Sequence, residues 1–351
     1  MNEHVKVLVT GAGSLLGQGI IRALRGSSFK TTIAAVDPHP LAAGLYWVEA
    51  PYVVPPVREE EYLERIEEIL SRERPDAVLV GTDVELGVFA ANRKRLERQW
   101  QTHIVVSSPE VVAIAEDKWR TYEFLRANGF DYPESCLPSG EEELVDKVGF
   151  PLVVKPRVGA RSEGVRLVHN LRELRAALDA GPNLIVQECV GTADAEYTAG
   201  ALCFDGQYAG SIVMRRELRD GNTYRAFVEE KPELNDLVRS WTERLKPQGP
   251  ANFQFRLDDG RAKVFEINAR FSGTTPLRAL AGFNEVEIVL RRILWGEPEA
   301  PPKIRPMTIL RHWSETVVEP WAVLGERPPR TVSDVPIAHK DFPSYRTSES
   351  L

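Results

Sequence analysis

The chain has 351 residues, enough for two or three domains that each bury a core. Its 51 acidic residues outnumber its 44 lysines and arginines, and the net charge of −7 argues against a nucleic-acid-binding surface. No apolar run reaches the length of a membrane span, the N-terminus lacks a signal-peptide pattern, and Cys136, Cys189 and Cys203 form no C-x-x-C pair. The expected compartment is therefore the reducing cytoplasm, with no membrane or nucleic-acid partner.

Val5-Lys6-Val7-Leu8-Val9 reads as a buried strand, followed by a glycine-rich turn with Gly11, Gly13 and Gly17 and a helix through Leu24. A second strand, 32–36, ends in Asp37, and Tyr62, Leu63, Ile66, Ile69 and Leu70 mark a helix before a third strand at 77–80. This alternation predicts a doubly wound parallel sheet over about the first 110 residues. The turn with Asp37 resembles a dinucleotide fingerprint, as in short-chain dehydrogenases and sugar epimerases. That raises an NAD(P)-dependent reductase or epimerase as a rival reading. Those families carry a Tyr-x-x-x-Lys pair, and no tyrosine here has a lysine four residues on. A tight turn that lets the first helix pack on the sheet is the preferred reading.

Ser107-Ser108-Pro109-Glu110 caps a helix expected to run through Ile114, Trp119, Tyr122 and Leu125 to Asn128-Gly129. Asp117-Lys118 reads there as a solvated charge pair. Residues 149–156 bring a strand to Lys155, and 157–164 form a loop of small residues before a returning strand at 165–168. Successive backbone N–H groups at such a tip can wrap phosphate oxygens, with Lys155 adding a point charge. No G-K dipeptide occurs, which excludes a P-loop. A strand over 184–190 presents an edge at Gln187-Glu188 suited to an adenine, and Glu196 can accept ribose hydroxyls. Arg215, Arg216 and Arg219 form a basic cluster on the strand and loop that follow.

Two alternating runs, 252–256 and 264–270, flank the turn Asp258-Asp259-Gly260 and predict a hairpin. The period of two puts Asn252, Gln254, Arg256, Glu266, Asn268 and Arg270 on one face and Phe253, Phe255, Phe265 and Ile267 on the other. A carboxylate among amides and a guanidinium makes a poor core, and its oxygens suit Mg²⁺. Beyond it come a loop at 272–276, a helix over 285–294, a proline-rich linker (Pro298, Pro301, Pro302, Pro306), a strand over 309–313 and a loosely tethered tail. The loops 42–52 and 271–278 are expected to shape a substrate pocket.

Taken in order, these features resemble the ATP-grasp superfamily, in the branch of carboxylate–amine ligases similar to the carbamoyl-phosphate synthase large subunit. The resemblance implies an α/β and α+β protein: a doubly wound pre-ATP-grasp domain at 1–113, a lid with the glycine loop at 114–190, a metal-bearing subdomain at 191–300, and a strand and tail at 301–351. It implies that Lys118 and Lys155 hold ATP phosphates, that the loop bearing Gly159, Ser162 and Gly164 closes over them, and that Gln187, Glu188 and Val190 form the adenine hinge with Glu196 at the ribose. Glu266, Asn268 and Gln254 are the implied ligands of Mg²⁺, with Mn²⁺ as an alternative ion. Arg270, catalytic with Lys155, is implied at the acyl phosphate or substrate anion. The implied reaction is ADP-forming ligation of a small-molecule carboxylate to an amine. A small-molecule kinase of the same fold and a homodimer stay open.

Overall fold

The computed structural model describes residues 4–159, 162–297 and 303–318 of the chain. The first sheet is parallel, built from β1 (His4–Val9), α1 (Leu15–Arg25), β2 (Lys30–Asp37), β3 (Ala50–Val53), α2 (Glu61–Glu73), β4 (Ala77–Leu79), α3 (Asp83–Trp100) and β5 (His103–Val105). Its order, β3-β2-β1-β4-β5, reverses direction between β1 and β4. It has five strands rather than the three expected. β3 carries Pro51 at the sheet edge, where a missing N–H is tolerated, and β5 is three residues long, so neither shows an apolar run. Most of the expected 42–52 loop is thus regular, a 3₁₀ turn over Ala43–Trp47 and then the first residues of β3.

The glycine turn is packed to its limit. A Cβ on Gly17 would lie 2.1 Å from the Gly11 carbonyl oxygen, so only glycine lets α1 start this close to the sheet. Ser14 caps α1 by accepting from the Gly17 N–H at 2.9 Å. Asp37 accepts from the Gly13 N–H at 2.7 Å, taking a donor that a pyrophosphate would need.

Next come α4 (Pro109–Glu116) and α5 (Lys118–Ala127). The single helix expected here is broken at Asp117, which is extended and caps α5 by accepting from the Trp119 N–H at 2.9 Å. A second, four-stranded sheet follows from β6 (Ser135–Cys136), α6 (Glu141–Val148), β7 (Leu152–Pro156), β8 (Arg166–Val168), α7 (Leu171–Leu178) and β9 (Leu184–Glu188), in the order β6-β9-β7-β8. Leu144, Leu152, Val154 and Leu174 form its separate small core.

The third sheet has six antiparallel strands in the order β14-β13-β10-β11-β12-β15. Its elements are β10 (Glu196–Phe204), β11 (Gln207–Arg219), β12 (Asn222–Val228), α8 (Pro232–Leu245), β13 (Gly249–Asp258), β14 (Arg261–Asn268), α9 (Thr275–Leu280), α10 (Glu285–Trp295) and β15 (Met307–Leu310). The expected 309–313 strand therefore lies earlier, ends before Arg311, and leaves Trp313 exposed. Half of the expected 271–278 loop is helix α9. The expected linker prolines 298, 301 and 302 and most of the tail lie outside the described residues.

One face of this sheet packs on α8, α4 and α5 through Phe253, Phe255, Trp241, Val111 and Leu125. Towards its far end the opposite face joins α9, α10 and α1 in one core with β1, through Leu202, Phe283, Val286, Ile20 and Val7. The first and third sheets thus share a continuous apolar interior, while the four-stranded sheet keeps its own.

Candidate active site

The predicted hairpin is β13–β14. Asn252 faces Asn268 and Gln254 faces Glu266 across it, while Phe253 and Phe255 are fully buried on the opposite side. Phe265 departs from the expectation. The register shifts between Gln254 and Phe255, so that Phe255 faces Val264 and Phe265 is the extra, unpaired residue. Released from the core, Phe265 lines the cleft, its ring centroid 5.6 Å from the Lys155 ammonium.

The cleft is a cavity of about 200 Å³ between the four-stranded and six-stranded sheets. Ten of the thirteen positions assigned from the sequence line it: Lys118, Lys155, Gly159, Ser162, Gln187, Glu188, Val190, Glu196, Gln254 and Glu266. Gly164, Asn268 and Arg270 do not; Gly164 packs near Pro156. Lys118 is buried rather than solvated, since α5 starts under the loop after β7 and its ammonium donates to the Gly159 carbonyl at 2.9 Å. Asp117, expected as its solvated partner, instead accepts from Arg157 Nε at 3.1 Å.

Lys155 is enclosed and donates to Gln187 Oε1 at 2.8 Å, and Gln187 in turn donates to Ser135 Oγ at 2.9 Å. Burial first, and then the charges of Lys118 and Arg256, push its pKa down to about 8. The unfolded chain, with lysine at the usual 10.5, binds more protons between these two values. Burying this group therefore costs stability at lower pH, and that cost is progressively lifted as pH rises through the window. A polyphosphate would stabilise the charged form. Nucleotide binding should accordingly take up a proton, most strongly just above pH 8 and scarcely at pH 6.5, as calorimetry in buffers of different ionisation enthalpy would measure. Equal uptake in Lys155→Met would assign the proton elsewhere.

Glu196 is placed differently from a free ribose acceptor. Its Oε1 accepts from Arg216 at 2.7 and 3.0 Å and its Oε2 from Arg256 at 2.8 and 2.9 Å. Of the three clustered arginines, Arg216 alone lines the cavity; Arg215 stacks on Phe227 and Arg219 is exposed over Tyr224. Glu188 links the sheets, accepting from the Glu134 N–H at 3.0 Å and pairing with Lys263 at 2.9 Å. Its neighbour Val190 offers its carbonyl to Arg256 at 3.2 Å.

Glu266 Oε1 accepts from the amides of both Gln254 and Asn268 at 3.0 Å. Its Oε2 has no hydrogen-bond partner among the described residues. Those residues hold no group of three or more His, Cys, Asp or Glu that could bind a metal. One open carboxylate oxygen beside amides nevertheless fits a hard dication that completes its shell with phosphate and water. Arg270 turns away from the cavity: Nε donates to Asp83 at the start of α3, Nη1 to the Phe271 carbonyl at 2.9 Å and Nη2 to Asn268 Oδ1 at 2.9 Å. Of the other cleft residues, Arg216 was expected only as one of three arginines, with Arg215 and Arg219, that could meet a triphosphate, while Arg256 and Phe265 had no assigned role in the site. Arg256 carried a signal in its place on the polar face of the hairpin; Phe265 carried none.

A cation-lined cleft between a small sheet with a glycine loop and a larger sheet with a polar hairpin defines a nucleotide-polyphosphate-binding class of fold. Family models agree with that geometry. A RimK-like ATP-grasp domain matches residues 115–240, an ATP-grasp family described as lying in the biosynthetic pathway with Ter operon matches 181–316, and a PylC-like N-terminal domain matches 7–104. The chain belongs to the ATP-grasp superfamily.

Among curated relatives, the carbamoyl phosphate synthase large chain of Methanosarcina mazei is 24% identical over 307 residues, covering 78% of this chain and 28% of its own. That of Thermus thermophilus is 26% identical over 316 residues, covering 79% and 30%. The chain thus spans under a third of those relatives. Among solved structures, N5-carboxyaminoimidazole synthetase from Staphylococcus aureus complexed with ADP superposes with a TM-score of 0.69 at 12% identity, covering 87% of this chain and 82% of that one. L-amino acid ligase from Bacillus licheniformis superposes with a TM-score of 0.64 at 20% identity, covering 87% and 78%. No described helix is long and apolar enough to cross a membrane.

Proposed function

We propose that this chain is an ATP-dependent, ADP-forming ligase that activates a small-molecule carboxylate as an acyl phosphate for attack by an amine. The observation that carries this reading is the convergence of Lys118, Lys155, Arg216 and Arg256 on a cleft beside Glu266. Four cations suit a triphosphate, and a lone open carboxylate oxygen suits the Mg²⁺ that accompanies it. The superposed ligases, whose names describe carboxylate or amino-acid chemistry, support the same class.

In this reading Lys118, Lys155 and Arg216 hold the phosphates, and Val153, Cys189, Val190 and Phe265 take the base. The substrate carboxylate attacks the γ-phosphorus in line, the bond to the β–γ bridging oxygen breaks, and ADP leaves. The amine then attacks the acyl carbon and phosphate departs. Glu266 would hold Mg²⁺, which neutralises phosphate charge when bound, and Asn268 would join it only once Arg270 releases its oxygen. The loop bearing Gly159 and Ser162 excludes water that would hydrolyse the acyl phosphate. Arg270 would reach that phosphate only by loosening its hold on Asp83. We place the protein in the cytoplasm, acting on small molecules; a homodimer is a proposal that size-exclusion chromatography tests directly.

The test is a product assay over paired carboxylates and amines with ATP and Mg²⁺. ADP should form, hydroxylamine should trap a hydroxamate in place of the amine product, and ATP with Mg²⁺ should raise the melting temperature while NADH does not. Release of AMP, or a shift with NADH alone, would overturn the reading. A stable phosphorylated product that hydroxylamine cannot trap would assign a kinase instead.

A further inference from the structure

Arg216 sits against the one hairpin residue, Gln254, that a second metal ion would need as a ligand beside Glu266. Two-metal phosphoryl-transfer sites hold their ions about 3.5–4 Å apart, which here would require a ligand beside Glu266 on the polar hairpin face. Gln254 is the neighbour available, facing Glu266 across the β13–β14 ladder. Its amide is committed at both ends. Oε1 accepts from Arg216 Nη2 at 2.6 Å, and Nε2 donates to Glu266 Oε1 at 3.0 Å.

Turning the amide over would set N–H against guanidinium N–H and oxygen against carboxylate oxygen, so donor and acceptor matching fixes its orientation. Arg216 is fixed as well. Its side chain is 8% exposed and pairs with Glu196, itself 5% exposed, on the adjacent strand β10. A guanidinium does not deprotonate in proteins, so this charge is permanent. The cleft thus presents one site with an open carboxylate oxygen, at Glu266, and at Gln254 an oxygen already covered by a cation.

We infer that the cleft takes a single divalent cation, at the open oxygen of Glu266, and that Arg216 supplies in protein form the positive charge a second ion would bring to the phosphates. The Asn268 oxygen, like that of Gln254, is covered by a guanidinium, that of Arg270. This rests on the ligase reading above. Its consequence is separate: metal stoichiometry is set by an arginine rather than by the number of carboxylates.

The experiment counts Mn²⁺ and the β,γ-imido analogue of ATP bound to the full chain, by equilibrium dialysis and by the electron paramagnetic resonance signal of free Mn²⁺. Wild type should bind one Mn²⁺ per nucleotide even at saturating Mn²⁺. Arg216→Gln, which frees Gln254 while Arg256 still holds Glu196, should bind two, with the spectrum of a spin-coupled pair. Should Arg216→Gln fail to fold, Arg216→Met takes its place, since it fills the same space with neither charge nor donor, and it should also bind two. Two Mn²⁺ per nucleotide in wild type, or one in a folded Arg216→Gln or Arg216→Met, would overturn the inference alone. Wild type that binds no nucleotide would remove the ligase reading and this inference with it.

Discussion

Glu266→Gln is expected to fold normally and to lose most of its ATP turnover at low Mg²⁺, recovering in part as Mg²⁺ is raised. A glutamine Oε1 still accepts the two amide hydrogens that Glu266 now receives, so the hairpin keeps its shape while the charge disappears. The lesion is one of metal affinity, which mass action repairs. Lys155→Ala should behave differently: about 10²–10³ of the rate should go, as for other single groups that stabilise charge in a transition state, and Mg²⁺ should not restore it. Initial rates of ADP release across a Mg²⁺ series separate the two. Wild-type-like turnover of Glu266→Gln at low Mg²⁺ would refute the metal assignment.

The second large effect is on stability. Arg278 and Glu285 are both fully buried and paired at 3.1 Å, with Thr275 also donating to Glu285 and Arg278 donating to Asn252 Oδ1. The guanidinium lies flat on Gly200 in the middle of β10, where an added Cβ would stand 2.4 Å from Nη1. A glycine inside a central strand is costly by itself, and its reason here is the arginine above it. Glu285→Ala should cost about 3–5 kcal/mol, because it leaves a buried guanidinium without its counter-charge. Arg278→Met combined with Glu285→Leu should recover most of that, since apolar replacements remove both desolvated charges. Denaturant midpoints of the three proteins measure this. A loss under about 1 kcal/mol in Glu285→Ala would mean that water reaches the pair.

Long, regular patterns were legible in the sequence. The period-2 alternation of 252–256 and 264–270 located the hairpin and its polar face, and the strand–glycine–helix rhythm located the first sheet. What escaped was decided between elements. Phe265 obeys the alternation in sequence and breaks it in space, because a one-residue bulge has no local signature in an otherwise regular strand. Arg216 could not be told from Arg215 or Arg219 without the β10–β11 register, which sets Tyr197 opposite Arg215 and brings Arg216 to Glu196. Glu196 looked like a free acceptor because neither of its arginines is near it in sequence. The break at Asp117 was hidden by an unbroken helical apolar pattern. It is the local capping bond, together with the Lys118 N–H bond to the Arg157 carbonyl at 2.9 Å, that turns the chain there.

The order of the sheets also has a consequence during synthesis. Residues 4–105 supply every strand of the parallel sheet, so its ladder can pair as soon as it leaves the ribosome, although the face of β1 and α1 waits for α9 and α10. Helices α4 and α5 emerge next, yet Val111, Ala115 and Leu125 find their packing partners on β13 and β14, well over a hundred residues later. At about 5–20 residues per second, that apolar face stays uncovered for on the order of ten seconds. The four-stranded sheet, made in the interval, has its own core and cannot cover it. The nascent chain is thus most exposed to chaperones and to aggregation after the four-stranded sheet has formed and before β14 arrives. Ribosome-bound chains stopped near residue 230 should be more protease-sensitive at α4–α5 than chains stopped after β15.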